Sequence, residues 1–145
     1  MMQYWDTSAL LACFIEEPET EQCRSCLGLT PDEPKFTSWL TLFEMETALR
    51  RKINQKLLLE KEVHVIQEVW NEAQSHFNFI PLDVRVARTG SRLQKLYNLK
   101  TGDGVQLGSA GILQLEYTEV QFVCLDKQLA KYAKQEGFLL PQNLV

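Results

Sequence analysis

Three stretches of this chain run from apolar residues into an aspartate and then into a helical pattern. They are QYWDTSALL around Asp6, NFIPLDVRVA around Asp83 and VQFVCLDKQLA around Asp126. A lone aspartate in that setting caps the helix it precedes, accepting from backbone N–H groups and contributing about 1 kcal/mol. Three of them at one edge of a parallel sheet would also form an acidic pocket, because ligands of open α/β sheets bind beyond the carboxyl ends of the strands. Spacing alone does not say which of Asp6, Asp83 and Asp126 face it. Two further acids are candidates. Glu44, in SWLTLFEMETALRRK, borders the apolar face set by Leu42, Met45 and Leu49, whereas Glu46 stands about 200° around the helix. Asp103 opens the glycine-rich segment LKTGDGVQLGSAGIL, where a helix cap is the plain alternative.

The elements that must position these acids follow from periodicity. Residues 2–5 read as a strand, 9–15 as the start of an apolar helix and 19–27 as a second helix. GLTPDEPKF, residues 28–36, carries two prolines around an acidic turn and reads as a loop. A strand is expected at 35–37, with Ser38 as N-cap to a helix over 39–53. A long amphipathic helix is expected over 57–77, carrying Leu58, Val65, Ile66, Val69, Ala73 and Phe77. A strand at 78–82 leads through Asp83 into a helix to about Tyr97, and another helix runs from about Asp103 to Leu115. The strand at 119–125 ends at Asp126, and its helix continues to Gln135, with Gly137 ending it and FLLP closing as a last strand. Strands alternating with helices imply an α/β fold with a mostly parallel sheet covered on both faces.

The 145 residues suit a single domain, 1–145, with a sizeable core, and 45% apolar and 23% charged residues are ordinary for a globular protein. No apolar run reaches the roughly 18 residues that span a bilayer, and the N-terminus lacks a signal-peptide pattern, so a cytoplasmic protein is expected. Cys13, Cys23, Cys26 and Cys124 fit that compartment as thiols. The C-x-x-C of Cys23 and Cys26 lacks a second ligand pair for zinc and reads as helix-face packing. A net charge of −4 argues against a nucleic-acid binder held by a general basic surface.

DTSALLACFIEEPE resembles the opening of PIN-domain ribonucleases, especially the VapC-like toxins of toxin–antitoxin systems. SWLTLFEMETALRRK resembles that family's second motif with its acid at Glu44. LKTGDGVQLGSAGIL resembles the third, in which an Asp opens a helix of small residues. FVCLDKQLAKYAKQEGF resembles the fourth: an apolar strand, Asp, a basic helix and a final Gly. The four stretches keep the family's order and span almost the whole chain. The resemblance picks Asp6, Glu44, Asp103 and Asp126 as catalytic acids and metal ligands, with Ser8, and Thr7 as a backup, supporting the first Asp. It leaves Asp83 as a structural cap. It implies a three-layer α/β/α sandwich, a homodimer, a small antitoxin whose tail covers the pocket, and RNA hydrolysis leaving a 5′-phosphate and a 3′-hydroxyl.

The chemistry accounts for four acids and no catalytic histidine. Crowded carboxylates do not all stay ionised without a counter-charge, so their pKa values rise. Mg2+ or Mn2+, one or two ions with a preference for oxygen ligands, supplies that charge, acidifies a bound water and offsets charge developing on a phosphodiester. Two divalent ions would bring the net charge to zero. His64 and His76 both lie in the long helix, far in sequence from these acids.

Departures from the family pattern are local. Gly104 and Gly108 stand where Ala is usual, which close packing of the helix against the sheet or a mobile site wall would explain. Cys124 stands near a usual Thr, removing a hydroxyl near Asp126. Among the basic residues, Arg50, Arg51 and Lys52 close the second-motif helix, and Arg85, Arg88, Arg92 and Lys95 form a stripe at helical spacing. A solvated face is the default for both groups; contact with RNA or a partner protein is the sharper reading. A haloacid-dehalogenase-like phosphatase would want an Asp where Ser8 stands, and a response-regulator receiver an acidic pair at Asp6. The remaining alternative is a PIN-like module that binds RNA or an antitoxin without cutting.

Overall fold

Tyr4 and Trp5 are consecutive, fully buried, and belong to separate apolar clusters on opposite faces of one sheet, as a strand's two-residue period demands. The chain is described here by a computed structural model covering residues 1–29 and 32–144. Among the described residues there are four strands: β1 (Met2–Trp5), β2 (Lys35–Ser38), β3 (Asn78–Ile80) and β4 (Val120–Val123). Seven α-helices connect and cover them: α1 (Thr7–Phe14), α2 (Thr20–Leu29), α3 (Leu40–Asn54), α4 (Glu60–Ala73), α5 (Val84–Tyr97), α6 (Thr101–Leu113) and α7 (Lys127–Gln135). All strand pairs are parallel, in the order β3-β2-β1-β4. One core layer joins Tyr4 and Phe122 to Val86, Leu93, Leu107 and Leu129 of α5, α6 and α7. The other joins Trp5 and Val123 to residues of α1, α2, α3 and α4, including Ala9, Cys23, Met45 and Trp70. The expected three-layer α/β/α sandwich is the observed fold.

The order places β1 between β2 and β4. The chain moves outward from β1 through β2 to β3, then returns to β4 on the other side. The crevice at this reversal lies beyond the ends of β1 and β4, where Asp6 and Asp126 sit. β3 is the far edge strand, which carries Asp83 away from it.

Several boundaries differ from the sequence expectations. The helix expected over 57–77 is α4, Glu60–Ala73, followed by a 3-10 turn at Gln74–His76. Lys56 adopts a left-handed φ of 59° and Leu59 is extended, so the chain turns before the helix. Glu62 Oε1 accepts from Leu59 N at 2.9 Å, closing that start. Val65 and Val69, expected on its apolar face, are exposed; the inward face carries Val63 and Trp70. β3 stops at Ile80 because Pro81 has no N–H to donate. β2 includes Ser38, and α3 begins at Leu40, with Ser38 Oγ still accepting from Leu40 N at 3.1 Å. β4 is confined to Val120–Val123, and FLLP contributes one parallel bridge, Gln121 to Leu139, rather than a strand. α2 extends through Gly28 and Leu29 into the expected loop, of which Thr30 and Pro31 lie outside the described residues.

The glycines of α6 pack against another helix, not the sheet. A Cβ on Gly108 would stand 2.7 Å from Gly90 Cα and 2.8 Å from Gly90 N, and one on Gly90 would meet Gly104 O at 2.6 Å. Gly90, Gly104 and Gly108 therefore let α5 and α6 cross backbone to backbone. All four cysteines are buried thiols, and Cys23 and Cys26 pack in the core as helix-face residues. His64 is exposed and pairs with Glu68 at 3.1 Å; His76 is exposed in the 3-10 turn. Among the described residues, no helix is long and apolar enough to cross a membrane.

Candidate active site

Asp6 is both a helix cap and a pocket residue. It follows β1 directly, caps α1 by accepting from Ser8 N at 3.2 Å, and is 6% exposed. Ser8 Oγ donates to the same Asp6 Oδ2 at 2.7 Å and accepts from Leu125 N at 3.0 Å. That hydroxyl ties the first aspartate to the segment leaving β4, and it satisfies a backbone N–H that would otherwise lack an acceptor.

Asp126 caps α7, with Oδ1 accepting from Gln128 N at 2.9 Å and Leu129 N at 3.0 Å. Cys124 Sγ donates to the Asp126 carbonyl oxygen at 3.1 Å, so the thiol braces this turn through the backbone. Asp103 is not a cap. α6 starts two residues earlier, Lys100 holds the cap position, and among the described residues no hydrogen bond ends on the Asp103 carboxylate. It stands in the first helical turn, where the macrodipole favours an anion.

Glu44 comes from α3 and is held by a buried polar network. Thr7 Oγ1 donates to Glu44 Oε1 at 2.7 Å, and Gln106 Nε2 donates to the same oxygen at 2.7 Å. Gln106 Nε2 also reaches Thr7 Oγ1 at 3.0 Å and Thr41 Oγ1 at 3.2 Å, while its Oε1 accepts from the Tyr4 hydroxyl. Thr37 Oγ1 donates to Trp5 O at 2.8 Å and lies 2.8 Å from Thr41 Oγ1, linking the network to β1. Thr7, expected to back up Asp6, thus serves Glu44 instead. Gln106 and Thr41 were missed in the sequence. A polar residue three positions after Asp103, on a helix otherwise of small and apolar residues, is the signal that points to Gln106.

Asp6, Glu44, Asp103 and Asp126 line one open pocket of about 460 Å3, together with Thr7 and Ser8. Phe43 and Arg51 of α3 form part of its wall. Burial pushes the Asp6 carboxyl up to about 6; the Ser8 hydrogen bonds oppose the rise, and the charges of Glu44 and Asp103 add to it. Burial also raises Asp103, with the Asp126 and Glu44 charges adding and Lys100 opposing. Asp6 and Asp103 therefore feel the charges of the neighbouring acids of the pocket.

The other predicted residues lie elsewhere. Asp83 caps α5 through Arg85 N at 3.0 Å and Val86 N at 3.1 Å, and the pocket does not include it. Glu46 points away from the pocket, pairing with Arg50 at 3.0 Å and Gln67 at 2.7 Å. Of the basic candidates, Arg51 alone lines the acidic pocket. Arg50 is occupied by Glu46, Arg85 pairs with Asp83 at 3.3 Å, Arg92 pairs with Glu136 at 3.4 Å, and Arg88 is exposed on α5.

The donor set suits a hard divalent cation. It consists of carboxylate oxygens backed by hydroxyls, without the nitrogen or sulfur that would select zinc. Among the described residues, no group of three His, Cys, Asp or Glu side chains forms a set that could hold an ion by itself. One or two carboxylates plus water, the usual manner of magnesium, is the arrangement this spread of acids accommodates.

Comparison with known proteins agrees with this architecture. The family model of the PIN domain matches residues 4–135. A chain of the structure described as VapBC2 from Rickettsia felis bound to a DNA fragment from their promoter superposes with a TM-score of 0.70. It is 13% identical, and the match covers 97% of this chain and 98% of that one. A chain of a toxin–antitoxin complex from Klebsiella pneumoniae gives a TM-score of 0.61 at 22% identity, over 88% of this chain and 90% of that one. At these identities the likeness speaks for the fold. No curated protein is significantly similar in sequence.

Proposed function

The chain belongs to the PIN-domain family, and on that premise we propose that it is a metal-dependent endoribonuclease, the toxin of a toxin–antitoxin pair. The observation that carries this reading is the meeting of Asp6, Glu44, Asp103 and Asp126, from four separate segments, in one pocket at the sheet's crevice. A buried carboxyl raised to about 6 by burial and by neighbouring acids calls for a counter-charge at neutral pH.

Asp6 and Glu44 are the oriented donors, one fixed by Ser8 and the other by Thr7 and Gln106. Asp103 and the exposed Asp126 complete the site from its outer side, binding directly or through water. These residues would hold Mg2+ or Mn2+, which when bound would supply the positive charge that admits a phosphodiester and would acidify a bound water. Arg51 steadies a neighbouring phosphate of the RNA. Hydrolysis leaves a 5′-phosphate and a 3′-hydroxyl. The same reading carries a homodimer, a small antitoxin that covers the pocket, and work in the cytoplasm; Phe43, 70% exposed on the pocket wall, offers an apolar hold for such a partner.

The test is incubation of the purified chain with total cellular RNA and magnesium or manganese, beside Asp6→Asn and a chelator. Discrete products that vanish in both controls are expected. A well-folded chain that binds manganese and RNA but cuts nothing would make it a binding module instead.

A further inference from the structure

Beside the acidic pocket lies a second groove, of about 350 Å3, between α7 and the C-terminal segment. Its apolar floor includes Ala130, Leu140 and Pro141, and its rim carries Lys127, Lys131 and Lys134. The three lysines recur at i, i+4 and i+7, hence on one face of α7, over a rise of about 10 Å. All three are exposed, and none forms an ion pair among the described residues.

Helix stability accounts for Lys134, in the last turn of α7, but not for the row as a whole. Lys127 occupies the first position of α7, where the macrodipole disfavours a cation, and the first turn holds no acid. Three lysines without one acid over the nine residues of α7 also segregate positive charge on a chain whose net charge is −4. The row begins next to the acids: Asp126 lines the acidic pocket, and Lys127 lines the groove.

We propose that Lys127, Lys131 and Lys134 form a track for the phosphate backbone of single-stranded RNA leaving the acidic pocket, with the apolar floor taking a base or ribose. The track rests on the nuclease reading of the pocket for its substrate. Charge complementarity and continuity with the phosphodiester site select RNA as the occupant. The lysines are positioning residues: they set where the strand lies and leave the chemistry to the acids.

The experiment measures fluorescence anisotropy of a labelled 12-nucleotide single-stranded RNA with calcium in place of magnesium, between 50 and 200 mM salt. The triple variant Lys127→Gln, Lys131→Gln, Lys134→Gln is compared with a charge-matched control, Lys56→Gln, Lys61→Gln, Lys95→Gln. Loss of the track should weaken binding at least about tenfold at low salt. It should also flatten the slope of log K against log salt by about 2, from roughly 0.7 per phosphate contact. The control should keep both, and in magnesium the track variant should raise KM and leave kcat unchanged. All the altered lysines are exposed, so the thermal midpoint should hold. An unchanged affinity and slope in the track variant would overturn the proposal, as would a wild-type chain that does not bind RNA. Loss of polyglutamate binding with RNA binding intact would make the groove an acidic-peptide site and overturn it too. RNA binding through the lysines without cleavage would uphold the track and remove the nuclease reading.

Discussion

Gln106 Nε2 lies 2.7 Å from Glu44 Oε1, and the same amide accepts from the Tyr4 hydroxyl through its oxygen. One buried side chain on α6 thus aims the carboxylate of α3 and satisfies a fully buried phenol of β1. Gln106→Leu should cost about 2–3 kcal/mol in urea unfolding, because it strands buried polar partners, and should also weaken manganese binding. Tyr4→Phe removes only the donor to the far side of the amide, so it should cost about 1 kcal/mol and leave the cation affinity unchanged. Equal effects of the two changes on manganese affinity would show that Gln106 does not orient Glu44.

Asp6 makes stability depend on pH in a predictable direction. Its folded pKa, about 6, lies above the ordinary 3.8, so its contribution is fully present below about 3.8 and is lost as pH rises through about 6. Asp103 shifts in the same direction. By linkage, the ion-free chain should lose about 3 kcal/mol through Asp6 by pH 8. Asp6→Asn should remove that dependence and stabilise the ion-free chain at pH 8 while reducing activity at least a hundredfold. Paired urea titrations at pH 5 and pH 8 check this; a wild-type chain equally stable at both, relative to the variant, would refute it.

Gly108→Ala should destabilise despite the better helix propensity of alanine. Its Cβ would collide with backbone atoms of Gly90, at 2.7 and 2.8 Å, and with Val86 O at 3.1 Å. Overpacking against backbone outweighs the roughly 1 kcal/mol of propensity, for a net loss of about 2 kcal/mol. Gly28→Ala on α2 meets nothing within 4 Å and should stabilise by about 0.5–1 kcal/mol. Thermal unfolding of the two variants should therefore move in opposite directions.

Gly102→Ala separates site from fold. Its Cβ would stand 2.8 Å from Glu44 Oε2, the end of a flexible side chain. The clash falls on the outer carboxylate oxygen, which can shift, and the better helix propensity of alanine, up to about 1 kcal/mol, offsets it, so the fold should keep its stability within about 1 kcal/mol. The displaced carboxylate should lower manganese affinity and RNA cleavage several-fold. Calorimetric titration with manganese reads the first directly.

The sequence pattern reached the strand–Asp–helix units because apolar strands and polar caps are local signals, and Asp6, Asp83 and Asp126 cap the helices they precede. Separating Asp83 from the others needed strand order, which local pattern does not carry; the resemblance supplied it, and the far-edge position of β3 explains it. Val65 and Val69 misled because valine is apolar wherever it sits, while Val63 and Trp70 define the inward face of α4. Thr7 and Gln106 support Glu44 across 37 and 62 residues of sequence, contacts that no periodicity encodes. The glycines of α6 were visible in the sequence, but their partner, Gly90 on α5, became evident only from the crossing of the two helices.

The most direct test of the four-acid site is manganese titration of the wild type and of Asp6→Asn, Glu44→Gln, Asp103→Asn, Asp126→Asn and Asp83→Asn, read by electron paramagnetic resonance. The account predicts saturable binding at one or two sites, weakened at least tenfold by Asp6→Asn and Glu44→Gln. Asp103→Asn and Asp126→Asn should weaken it to a lesser degree, and Asp83→Asn should leave it unchanged. Binding that none of the four pocket substitutions alters, or no binding by the folded wild type, would contradict the account and leave Asp6 and Asp126 as helix caps.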